Sequence, residues 1–164
     1  MTNENENSIY LGEESQPIDF PLGLIGLEEW RRFSLVSHPA GEPLRLLQAL
    51  DDPRVSLIVT DPRQLVPGYQ LSLSGADVQG LKYSGESGPL AGDVIELDVY
   101  CILSIQADPF YVTANLLGPL VINWQSGLGR QIVLSDSRYS PRFLVASASE
   151  EVETTDLAMS KEVV

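Results

Sequence analysis

The chain has 164 residues, 43% hydrophobic and 20% charged, with a formal net charge of −13. That length suits one domain with its own core, and no apolar stretch reaches the ~20 residues that cross a bilayer. The single cysteine, Cys101, excludes an intramolecular disulfide. The opening M-T-N-E-N-E-N lacks the basic and apolar parts of a signal peptide, so the expectation is a cytoplasmic protein.

Charge is concentrated at the two ends. Residues 1–19 carry five acids and no base, and residues 148–164 carry five acids and one lysine. Stretches of this composition cannot bury enough apolar surface to order themselves, so 1–15 and 145–164 are expected to be disordered acidic tails. Between them, 16–144 is expected to be the folded domain. An acidic protein repels RNA and DNA and attracts basic partners, which disfavours direct nucleic-acid binding.

The first expected strand is 17–20, stopped by Pro21 and the glycines at 23 and 26. Glu28-Glu29-Trp30-Arg31-Arg32-Phe33 places acids before bases and suits a short helical turn. Residues 44–50 and 55–60 form an expected hairpin across Asp51-Asp52-Pro53-Arg54. Asp-Pro recurs at 52, 61 and 108, each time after a strand-like run, and these aspartates read as turn-makers. Ser74 is placed to cap one helical turn over 75–81. The stretch 83–92 is rich in Gly and Ser and reads as an exposed loop.

Residues 93–105 are the longest expected strand. Ile95, Leu97, Val99, Cys101, Leu103 and Ile105 alternate onto one face, the expected core wall, with Cys101 a buried small hydrophobe on it. Val112–Asn123 follows, two apolar runs split at Gly118-Pro119, with Asn115 and Asn123 its strongly polar side chains. Many short strands and almost no helical period predict an all-β fold: a small antiparallel β-barrel or sandwich-like barrel with one or two short helical turns.

No catalytic or metal-ligating pattern accompanies these elements. One His and one Cys cannot build a structural zinc site of the usual kind, and His38 sits in a Pro/Gly loop without a nucleophile elbow. Gly127-Leu128-Gly129-Arg130 reads as a hairpin turn rather than an anion nest, and Glu96 and Asp98 as a solvated acidic face. The residues point to no catalytic residue, cofactor or metal.

T-A-N-L-L-G-P-L-V-I-N at 113–123 closely resembles the flagellar assembly factor FliW family. The resemblance continues in order through F-P-L-G-L-I-G at 20–26, L-Q-A-L-D-D-P at 47–53, V-T-D-P at 59–62 and G-R-Q-I-V-L at 129–134, followed by Tyr139-Ser140. The sequence departs from the family pattern at Gly118, in the loop 125–129 and at Pro141-Arg142. The resemblance implies a cytoplasmic, non-enzymatic β-barrel. It would bind the RNA-binding translational regulator CsrA, relieve repression of flagellin synthesis, and be sequestered in turn by flagellin. An alternative within the family is a flagellin-binding assembly chaperone without a CsrA role. The protein is expected to be monomeric when free, with no membrane partner and no direct nucleic-acid contact.

Five residues are candidates for partner contact. Asn115 and Asn123 are polar within apolar strands, and either satisfy backbone locally or face a partner. Asp136, Arg138 and Tyr139 follow the last barrel strand in a polar segment suited to an exposed rim.

Overall fold

Short strands punctuated by proline and glycine fold here into a sheet that closes on itself. The computed structural model describes residues 16–90, 96–135 and 138–148. The expected tail 1–15, most of the expected tail 145–164, and Ile95 of the long strand lie outside the described residues. The strands are β1 (Ile18–Asp19), β2 (Arg32–Ser37), β3 (Arg45–Ala49), β4 (Ser56–Thr60), β5 (Ser72–Leu73), β6 (Gly88–Pro89), β7 (Leu97–Ala107), β8 (Phe110–Ala114), β9 (Leu120–Asn123), β10 (Leu128–Gln131) and β11 (Phe143–Ser147). One α-helix, α1 (Gly75–Leu81), and a 3-10 turn at Pro62–Gln64 complete the described elements.

Going round the barrel, β1 pairs with β2, then β3, β4, β7, β9 and β10, and β10 returns to β1. The expected barrel thus forms, antiparallel except for the β1–β10 contact, which is parallel. Closure pairs the strand edges that an open sheet would leave exposed. The hairpin expected over 44–60 is β3–β4, with Leu46 opposite Ile58 and Leu47 opposite Leu57. Alternate residues point inward: Phe33 and Leu35 from β2, Leu47 and Ala49 from β3, Val59 from β4, and Leu120 and Ile122 from β9. Phe20 packs edge-on against Phe33, with ring centroids 5.6 Å apart. Gly129 faces that ring so closely that an added Cβ would lie 2.5 Å from Phe20, so the barrel closes here only over a residue with no side chain.

A second apolar cluster lies outside the barrel, between β7–β9 and a layer made of 65–73, α1 and β11. The helix forms because Ser74 caps it. Its hydroxyl accepts from the Asp77 N–H at 3.0 Å while the Asp77 carboxylate accepts from the Ser74 N–H at 2.9 Å. Lys82 ends the helix in a left-handed conformation, φ 51°. Asp77 then pairs with Arg130 of β10 at 2.9 Å, fastening helix to barrel.

Three expectations change. The core wall expected on one face of 93–105 lies on the outer cluster rather than in the barrel interior. Leu97, Val99, Cys101 and Leu103 belong to the outer cluster, while Tyr100 and Ile102, from the opposite face, pack into the barrel. Strand β7 is apolar on both faces because it is sandwiched between the two cores, and Ile105 is 55% exposed because the strand runs on past the barrel. The helical turn at 28–33 does not form. Leu24 instead bridges Leu27, tight turns carry the chain to Trp30, and Phe33 is already in β2. Finally, β11 crosses the domain boundary expected at 144: Val145 packs on the outer cluster and the strand ends at Ser147.

Candidate protein-binding surface

Strand β7 is longer than the barrel is tall, and this builds the site. Its first half pairs with β9 (Val99 opposite Val121) and its last half with β8 (Leu103 opposite Ala114), both along the same edge. Residues 110–123 are therefore one strand's path interrupted by an excursion at 115–119. Before the interruption the chain pairs with β11 and forms a flange, β7–β8–β11; after it, with β10 in the barrel. Asn115 holds the excursion, its side-chain oxygen accepting from Leu117 N–H at 3.1 Å and Gly118 N–H at 2.9 Å. Gly118 leaves little room for a side chain, since an added Cβ would lie 3.0 Å from the Gln131 amide.

Gln131 spans from this turn to the loop 21–27. Its amide nitrogen donates to Gly118 C=O at 3.0 Å, and its oxygen accepts from Ile25 N–H at 2.8 Å. The loop is thereby held as a ridge carrying Leu22 and Ile25, each 66% exposed. Between ridge and flange runs a groove of about 500 Å³, with Leu24, Ile25 and Leu27 on one wall and Ser104, Gln106 and Thr113 on the other. A second cleft lies on the far side of the ridge, between 70–74 and 131–135, with Leu22 and Val133 on its rim.

The five candidate residues are not brought together. Asn123 is buried, donating to the carbonyls of Leu81 (2.9 Å) and Lys82 (3.3 Å) at the end of α1, while its oxygen accepts from Gln125 N–H at 3.0 Å. Its amide nitrogen fastens the end of the helix and its oxygen its own turn, so both are spent locally. Asn115 is half-buried; its side-chain oxygen holds its own turn, and the residue lines the groove. Tyr139, expected at an exposed rim, is instead half-buried in the outer cluster, its ring 4.5 Å from that of Tyr69 and its hydroxyl accepting from Gln70 N–H. Arg138 is exposed, 5.6 Å above the Tyr139 ring, and lines the second cleft. Asp136 lies outside the described residues.

The ridge and groove, with Ile25, Ile105 and Arg142, are surface that the sequence reading missed. The available signal was the run F-P-L-G-L-I-G-L, which holds more apolar residues than a solvated loop needs.

Chemistry elsewhere is quiet. His38 Nδ1 accepts from Ala40 N–H at 2.9 Å within its loop. Burial pushes the Cys101 thiol up to about 12, so it is neutral at physiological pH. Asp52 and Asp61 each accept from the N–H two residues on, building the turns at Asp-Pro. Among the described residues, no three His, Cys, Asp or Glu side chains gather as a metal site, and no helix is long and apolar enough to cross a membrane.

Fold and surface define a closed all-β barrel with a covered outer face and an open groove at the branch of its sheet. The family model described as FliW protein matches residues 3–145, and the chain therefore belongs to the FliW family of flagellar assembly factors. It is 34% identical to the flagellar assembly factor FliW of Clostridium botulinum (strain Alaska E43 / Type E3) over 133 residues, 81% of this chain and 89% of that protein. It is 31% identical to the one from Syntrophomonas wolfei over 150 residues, 92% and 91% of the two chains. A crystal structure of the flagellar assembly factor FliW superposes with a TM-score of 0.66 at 28% identity, covering 80% of this chain and 86% of that one.

Proposed function

We propose that this flagellar assembly factor binds a CsrA-type RNA-binding regulator, relieves its repression of flagellin synthesis, and is itself sequestered by flagellin, acting in the cytoplasm as a monomer when free. Membership of the family supports the reading, and the charge carries it. The chain has a net charge of −13, of which residues 1–19 and 148–164 supply −9, and Glu28, Glu29, Glu42, Asp51 and Asp108 stand exposed on the folded domain together with Arg31, Arg32, Arg54 and Lys82. A basic RNA-binding protein is drawn to such a surface, while the RNA it carries is repelled. The protein needs no chemistry for this role; it acts by occupying its partner.

The test is competition. Purified protein is titrated into a complex of CsrA with labelled leader RNA, followed by fluorescence anisotropy. RNA is expected to be released, and flagellin added afterwards is expected to restore the complex. Because steering is electrostatic, association should slow by about tenfold between low and high salt. RNA that stays bound at saturating protein overturns the reading. Flagellin binding without any CsrA binding would favour the assembly-chaperone alternative.

A further inference from the structure

Strand β2 is buried more deeply than its place in the sheet explains. Phe33 and Leu35 point into the barrel, so Ser34 and Val36 alternate onto its outward face. They are nevertheless only 5% and 8% exposed. Val36 stands beside Leu46 of β3, and Leu46 beside Ile58 of β4, in one outward apolar row. Leu46 and Ile58, flanked by strands on both sides, are half-buried. Among the described residues, Ser34–Ser37 have a strand partner on the β3 side alone, since β1 pairs no further along β2 than Phe33. On a bare sheet, the residue at such an edge is the most accessible of its row. Here it is the least, and Val36 belongs to neither apolar cluster. The loop that follows β2 is exposed over 39–43 and lies at the far end from Ser34. The burial therefore requires a cover over the β2 edge, not over the middle of the sheet.

Chain order says what the cover is. Strand β1 runs antiparallel to β2 with Ile18 opposite Phe33, so the residues that precede β1 arrive alongside Ser34–Ser37. Residues 1–15 contain one apolar run, Ile9-Tyr10-Leu11, of residue types that suit a pleated surface. The chain from Leu11 to Gln16 spans up to ~17 Å, and Val36 lies only about 10 Å along β2 from Phe33. Residues 149–164 instead follow β11, which β8, β7, β4 and β3 separate from β2. We propose that Ile9-Tyr10-Leu11 docks across the outward face of β2, over Ser34 and Val36, making the acidic segment 1–15 a strap on the barrel. Average composition marks this segment as a tail, but the triplet, and not the average, is what meets the edge. Docking shields the β2 edge from pairing with other chains. It also fixes Glu6, Glu13 and Glu14, each within three residues of the triplet, on this side of the barrel.

The test reads the accessibility of one thiol in the full-length chain. Ser34→Cys places that thiol under the strap, and the native Cys101, fully buried, is the internal control for the fold. Labelling of the introduced thiol by a maleimide is expected to be slow. It is expected to accelerate about tenfold or more when Ile9→Asp, Tyr10→Asp and Leu11→Asp are added together, with Cys101 unreactive in both proteins. Adding Val152→Asp, Leu157→Asp and Met159→Asp instead is expected to leave the rate unchanged. A benzophenone amino acid in place of Tyr10 is expected to crosslink to β2 or β3, a readout that needs no destabilising change. An introduced thiol that labels freely in the otherwise native chain, or as slowly after the triplet is replaced, overturns the proposal. Acceleration from the 152–159 changes alone overturns the occupant, giving the cover to the other segment. Crosslinking confined to other strands overturns the docking site.

Discussion

The two cores of this protein are held by different physics. Inside the barrel, the backbone satisfies itself through the strand ladder, and side chains have only to fill space: Phe20, Phe33, Leu35, Leu47, Val59, Leu120 and Ile122 are all nearly inaccessible. The outer core is roofed by segments that are mostly not strands, so their backbone groups need side-chain partners. Asn123 supplies two donations to the end of α1, and the Tyr69 hydroxyl donates to Leu116 C=O at 2.6 Å. Burial raises the pKa of that hydroxyl, which keeps it a donor across the physiological range. Tyr139 accepts from Gln70, and Arg130 reaches Asp77. A ladder tolerates changes to its side chains' polarity poorly but needs none of it; the roof depends on a few polar atoms in fixed places.

Substitutions can break this contrast or sharpen it. The largest effect is expected from Phe33→Ala inside the barrel, where a fully buried ring is lost and the closed sheet cannot collapse into the space: about 3–5 kcal/mol of stability by urea denaturation. Asn123→Ala should cost less, about 1–3 kcal/mol: the Lys82 carbonyl loses its donor and the Gln125 N–H its acceptor, while Ser126 Oγ still donates to Leu81 C=O. Its signature should be local. Amides of α1 are expected to lose hydrogen-exchange protection while those of β2 and β3 keep theirs; uniform loss across both would show that the two cores are one cooperative unit. Smallest is Arg54→Ala at the β3–β4 turn. Arg54 lowers the Asp52 carboxyl from its ordinary value through a side-chain hydrogen bond, but both groups are solvent-accessible, and the melting temperature is expected not to move.

Much of the barrel was legible in the chain. The β3–β4 hairpin was marked by Asp51-Asp52-Pro53-Arg54, α1 by its Ser74 cap, and Cys101 by its place in an apolar alternation. These are local signals, and local backbone preference decides them. Strand β7 was found but misassigned, because alternation shows that a strand has two faces without showing that both are buried. Tyr100 and Ile102, on the face they share with Glu96 and Asp98, are the barrel's own lining. The five candidate contact residues came from polarity within apolar or family-like segments, and polarity does not distinguish a residue facing a partner from one serving a nearby carbonyl. Asn123 serves the carbonyls at the end of α1, and Asn115 accepts from two N–H groups of its own turn.

The run 112–123 shows the division most clearly. Its composition marked an apolar run broken at Gly118-Pro119, and its resemblance to the FliW family implied a barrel. Only the tertiary structure decided that both halves lie along the same edge of β7, that the break is where flange leaves barrel, and that a groove opens there against the ridge of Leu22 and Ile25. Short-range preferences for extension and turning are written residue by residue. Which edge a strand finds, and which faces are left uncovered, depends on closing the sheet, and closure is a property of all seven strands together.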